Sequence, residues 1–156
     1  SMGSWICYGP GSENADRIKG LILMAPHVFV EPLSIESIRQ AAKLYRTTDL
    51  PEKLSRYHSP CVDSTFWGWN DIWLHEDFRN WNIESYLPNI NVPMLLLQGV
   101  QDQYGTLAQL EAIESQVSGF SESHLIQDCG HAPYRDQSEA VLKFCSRFID
   151  TLISAD

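Results

Sequence analysis

The sequence holds 156 residues with 44% hydrophobic content, enough for one buried core, and a formal net charge of −9. That charge excludes a protein that grips nucleic-acid phosphates, which needs clustered Lys and Arg. No apolar run approaches the ~20 residues of a membrane helix and no signal peptide is visible, so neither nucleic acid nor membrane is expected as a partner. The four cysteines, Cys7, Cys61, Cys129 and Cys145, show no CxxC spacing and do not pair with nearby histidines. Free, mostly buried thiols in a reducing, cytoplasmic compartment are expected, with no metal and no cofactor.

The chain opens on "SMGSW" (Ser1–Trp5). Two readings stay open: an expression leader, or the second half of a Gly-x-Ser-x-Gly nucleophile elbow. "YGPGSENA" (Tyr8–Ala15) then places Gly9, Pro10 and Gly11 together, which breaks any helix running through it. "GLILMAP" (Gly20–Pro26) is continuously apolar and reads as a strand covered on both faces.

From Val28 to Leu87 the pattern turns helical: Ile35, Ile38, Ala42 and Tyr45 follow a Ser34 cap, then "DLPEKLSRYH" and "FWGWNDIWLHEDFRNW". Four tryptophans fall here, Trp67, Trp69, Trp73 and Trp81. The stretch far exceeds an ordinary strand connection of about 2–6 residues and reads as an inserted helical cap. Its aromatics form a small core of their own, and Trp67, Trp69 and Trp73 are the candidates for lining a substrate pocket.

"VPMLLLQG" (Val92–Gly99) and the weaker "SHLIQ" (Ser123–Gln127) are two more buried strands. Between them Thr106 caps a helix with Leu107, Leu110, Ile113 and Val117 on one side, ending before Gly119. After them Asp136 and Glu139 have capping-box spacing ahead of the stripe Val141, Phe144, Cys145, Phe148, Ile149, Leu152. Strand, helix, strand, helix predicts a parallel α/β sheet of about three strands.

Ligands of open α/β sheets bind outside the carboxyl ends of the strands. Asp102 stands three residues past Gly99, and His131 follows Gly130 beyond the last strand. Neighbouring parallel strands lie ~4.8 Å apart, so the two side chains can meet. An Asp that accepts from His Nδ1 fixes the tautomer and leaves Nε2 free to take a proton from a nucleophile. His27, His58, His75 and His124 carry no comparable signal.

With those residues in place, the chain resembles the C-terminal part of an α/β-hydrolase, and is most similar to capped hydrolases of small esters and carbon–carbon bonds. "DRIKGLILMAPHVF", the helical insertion, "VPMLLLQGVQDQYGT" and "CGHAPYRDQSEAV" carry the resemblance from Ala15 to Leu152. It implies that Asp102 is the triad acid and His131 the triad base. In register, Ser1 matches the nucleophile and the Met2 backbone N–H one oxyanion donor.

Residues 1–27 then read as a remnant of the elbow helix and first core strand, 28–88 as the cap, and 89–156 as the C-terminal part of the core. The first half of the usual sheet and the second oxyanion loop have no counterpart, so impaired activity is expected. The implied function is serine hydrolysis of a carboxylic ester or related bond in a small molecule. The alternative is a non-catalytic fragment that pairs its bare first strand with a second copy, as a homodimer, or with a complementing chain.

Overall fold

In the computed structural model, residues 18–154 are described; Ser1 and Met2 lie outside them. The described chain forms two compact units, one of residues 30–81 and one of residues 18–29 with 82–154.

The first unit is helical. Helix α1 (Pro32–Thr47) is followed by α2 (Leu50–His58), α3 (Val62–Leu74) and a 3₁₀ turn (Glu76–Asn80). Ser34 is not the cap of α1. The helix begins at Pro32, where a missing N–H costs nothing, and Ser34 is buried inside its first turn. Ala41, Tyr45 and Phe66 form the core of this unit, with Trp67 packed against it. The Tyr45 and Phe66 rings stack at 3.9 Å between centroids. The buried Asn70 amide donates to the Ile38 carbonyl at 2.9 Å, which ties α3 to α1.

The second unit holds the sheet. Strand β1 (Leu21–Met24) pairs parallel with β2 (Met94–Gly99), which pairs parallel with β3 (Ser121–Ile126), in the order β1-β2-β3. Helix α4 (Ala108–Gln116) connects β2 to β3; the single turn α5 (Pro133–Asp136) and the long α6 (Ser138–Ser154) follow. Every residue of β2 is buried. Met94 and Leu96 pack with Leu110 and Ile113 of α4. Leu95 and Leu97 pack with Val141 and Phe148 of α6. The continuous apolar run of β2 thus follows from helices on both faces, and each fully buried Leu stabilises the fold by roughly 1.5–3 kcal/mol.

Three local expectations need correction. Strand β3 begins at Ser121 rather than Ser123. Its half-exposed residues, including Glu122 and His124, mask the start, as expected of a strand that pairs on one side among the described residues. Helix α4 starts at Ala108, one residue late, with the Thr106 hydroxyl accepting from the Ala108 N–H at 3.2 Å. Asp136 and Glu139 do not form a capping box. Asp136 ends α5, and its carboxylate accepts instead from the Gly130 N–H at 3.0 Å and from Arg135 Nε at 3.2 Å.

Cys61 is exposed, Cys129 buried and Cys145 partly buried, and all three are free thiols. No helix among the described residues is long and apolar enough to cross a membrane.

Candidate active site

Beyond the carboxyl ends of the three described strands stand, among other polar residues, His27 after β1, Asp102 after β2 and His131 after β3. The β2–β3 ladder ends at the pair Gly99–Ile126, and the Val100 N–H still donates to the Ile126 carbonyl at 2.9 Å. From there two loops diverge and are laced together. Gln101 donates its N–H to the Cys129 carbonyl at 2.9 Å, and its side-chain oxygen accepts from the Cys129 N–H at 2.9 Å. On the far side the Gln137 amide donates to the Asp128 carbonyl at 3.0 Å. Asp128 itself sits at φ 51°, a left-handed turn that Asp tolerates better than most residues.

These loops bring Asp102 and His131 together. His131 Nδ1 lies 3.0 Å from each carboxylate oxygen of Asp102. The carboxylate is 1% exposed and the imidazole 37%. An ionised carboxylate can only accept, so Nδ1 carries the hydrogen and Nε2 is left as the basic nitrogen. Asp102 Oδ1 also accepts from the Tyr104 N–H at 2.8 Å and the Gly105 N–H at 3.3 Å, a tight turn closing over the acid. Tyr104 places its ring 4.8 Å from that of His131, centroid to centroid.

Burial alone would push the Asp102 carboxyl up. The hydrogen bond from His131, the Tyr104 N–H, the His131 charge and the Gly105 N–H outweigh it, and the group is held below the ordinary carboxylate value. The sign for stability follows. A carboxyl whose pKa is lower folded than unfolded stabilises the fold fully above its unfolded value of about 4 and loses that contribution as pH falls through its folded value. Urea midpoints of the chain and of Asp102→Asn should therefore converge as pH drops from about 5 to about 2. Parallel curves over that range would contradict the Asp102 environment.

Three nearby residues carried no clear signal in sequence. His27 stands where Asp102 and His131 stand, past a strand's carboxyl end, and its ring lies 5.7 Å from that of His131. Gln98, the polar residue closing an apolar strand, is 2% exposed and reaches over to the turn that holds Asp102. Gln101 joins the two loops across a separation of 28 residues, which only the parallel pairing of β2 and β3 reveals.

Trp67, Trp69 and Trp73 belong to the other unit. There Trp67 packs edge-on to Phe66 and Tyr45 with the Arg46 guanidinium 4.7 Å from its centroid. Trp69 meets Phe66 edge-on, and Trp73 meets Phe78 and Trp81. Among the described residues, no group of three or more His, Cys, Asp or Glu side chains is arranged to hold a metal ion.

No protein-family model matches the sequence, and no curated protein matches it. Solved structures do. A thermophilic esterase from Thermogutta terrifontis superposes with a TM-score of 0.59 at 21% identity, covering 97% of this chain and 63% of that one. An enol-lactonase from Burkholderia xenovorans gives a TM-score of 0.59 at 21% identity, covering 96% and 63%. A meta-cleavage product hydrolase from Pseudomonas fluorescens gives 0.64 at 14% identity, covering 88% and 57%. The chain thus spans less than two-thirds of these structures, and at such identities the likeness establishes fold alone. With its three parallel strands and flanking helices, the chain has the α/β-hydrolase fold over part of the length of the proteins that share it.

Proposed function

We propose that the chain carries the acid–base half of a serine hydrolase acting on a carboxylic ester or related bond of a small molecule. The observation that supports this best is the buried Asp102 carboxylate with both oxygens 3.0 Å from His131 Nδ1, at the ends of adjacent parallel strands. In this reading Ser1 occupies the nucleophile position and the Met2 N–H donates to the oxyanion. His131 Nε2 takes the serine proton as the hydroxyl attacks the carbonyl carbon, then returns it to the leaving alcohol. Water, deprotonated by the same nitrogen, cleaves the acyl-enzyme. Asp102 steadies the imidazolium in both steps. Trp67, Trp69 and Trp73 are proposed to bound the acyl or leaving group. The names of the esterase and enol-lactonase agree with this class of bond.

Turnover of p-nitrophenyl acetate tests the reading. His131→Ala should remove it, and a fluorophosphonate should label the parent chain but not Ser1→Ala. Unchanged turnover in His131→Ala would defeat the assignment.

One observation favours a second reading. Among the described residues β1 pairs with β2 alone, so its other edge is open to a strand from a second copy or a complementing chain. Light scattering separates the two: a stable monomer at 17.8 kDa removes the assembly reading.

A further inference from the structure

Gln98 is the last side chain of β2 before Gly99, and the four residues ahead of it are all apolar. At 2% exposure its amide is out of water. The Nε2 group points at the turn that follows the strand. It donates to the Gly105 carbonyl at 2.7 Å and lies 3.3 Å from the Thr106 carbonyl and 3.5 Å from Asp102 Oδ2. Three oxygens around one NH₂ fix which end of the amide is nitrogen. The other end, Oε1, is buried and has no hydrogen-bond partner among the described residues.

That asymmetry separates two roles. A buried acceptor without a donor lowers folding stability, and an apolar side chain of the same shape avoids the loss. Packing of the strand alone is therefore served as well by Met or Leu, which lack the donor to the Gly105 carbonyl in the turn. What only the amide can do is hold the 102–106 turn down on the strand end. That turn supplies the Tyr104 and Gly105 N–H groups to Asp102, so its position decides where the carboxylate points. The fit leaves little slack, since a Cβ on Gly105 would lie 3.1 Å from His27 Cε1 and 3.5 Å from Gln98 Nε2.

We propose that Gln98 is a positioning residue: it clamps the Asp102 turn and thereby keeps His131 in the Nδ1–H tautomer, with Nε2 unprotonated. The proposal rests on the Asp102–His131 pairing put forward under Proposed function. It adds a residue that acts on the pair without meeting substrate.

The test reads the tautomer directly and needs no activity. Nitrogen-15 NMR of the His131 ring, taken at a pH high enough that the ring shifts no longer change, distinguishes the Nδ1–H form from the Nε2–H form. In the parent chain the Nδ1–H form should dominate. In Gln98→Met it should fall to a minor form, while the chain stays folded with a thermal midpoint lowered by no more than the loss of one buried hydrogen bond. Gln98→Leu serves as a second variant of similar volume. An unchanged tautomer in either folded variant overturns the proposal. So does loss of folding in both, because the amide would then be serving the fold. A parent chain with His131 mainly as Nε2–H would instead defeat the Asp102–His131 reading itself, and this proposal with it.

Discussion

With Asp102 and His131 acting as proposed, Asp102→Asn should abolish p-nitrophenyl acetate turnover, a loss of up to about four orders of magnitude, while the chain stays folded. The geometry gives the reason. Oδ1 accepts from two backbone N–H groups, at 2.8 and 3.3 Å, so the carbonyl oxygen of an Asn must take that place. The NH₂ group then faces His131 Nδ1, 3.0 Å away, where a bare carboxylate oxygen stood. Two donors cannot share that gap, so Nδ1 gives up its hydrogen and Nε2 acquires it. A neutral imidazole with its hydrogen on Nε2 has no lone pair there to accept a proton from a nucleophile. Circular dichroism of the variant should match the parent, because the side-chain shape is unchanged. A loss of less than about tenfold would show that Asp102 does not set the tautomer of a working base.

Gly99→Ala should be the most damaging single methyl in the sheet unit. A Cβ at position 99 would lie 2.2 Å from the Cys129 carbonyl oxygen, 2.3 Å from that of Gly130 and 2.5 Å from the Cys129 carbonyl carbon. All three are backbone atoms, so no rotamer change relieves the clash. Either β2 or the loop bearing His131 must shift, and a cost of about 3 kcal/mol or more is expected, the upper end of ordinary overpacking. Urea unfolding measures it. Gly68→Ala is the matched control, a helix position with nothing within 4 Å of the new Cβ, and it should gain up to about 1 kcal/mol. A Gly99→Ala loss below about 1 kcal/mol would mean the two loops do not approach so closely.

What the sequence disclosed follows from how local each signal was. Strand β2 was legible because Met94 to Leu97 are apolar without a break, the mark of a strand covered on both faces. Helix α6 was legible from the stripe through Val141 and Phe148, both buried as expected, although Ile149, counted on the same stripe, is exposed because it sits at the edge of the docking face. Asp102 and His131 stood out because parallel strands carry the residues after them to the same end of a sheet. The failures were competitions between equally suitable partners. Ser34 has the chemistry of a helix cap, but Pro32 starts the helix earlier and draws the serine into the first turn. Asp136 has the spacing of a capping box, yet the Gly130 N–H claims its carboxylate across six residues. Gln98 and Gln101 were silent because their partners lie in loops whose placement depends on the sheet already being formed.

The lacing of the two loops has one more consequence. Gln98, Asp102, the 104–105 turn, the Cys129–Gly130 segment, His131, Asp136 and Gln137 all fall within one contiguous stretch, residues 98–137, and they hold one another. Asp102 and His131 are thus held by hydrogen bonds made inside a single stretch, at the ends of two neighbouring strands and in the turns after them. The carboxylate–imidazole pair is therefore set by contacts within one stretch of chain, and a substitution elsewhere reaches it only through the strands and helices that carry that stretch.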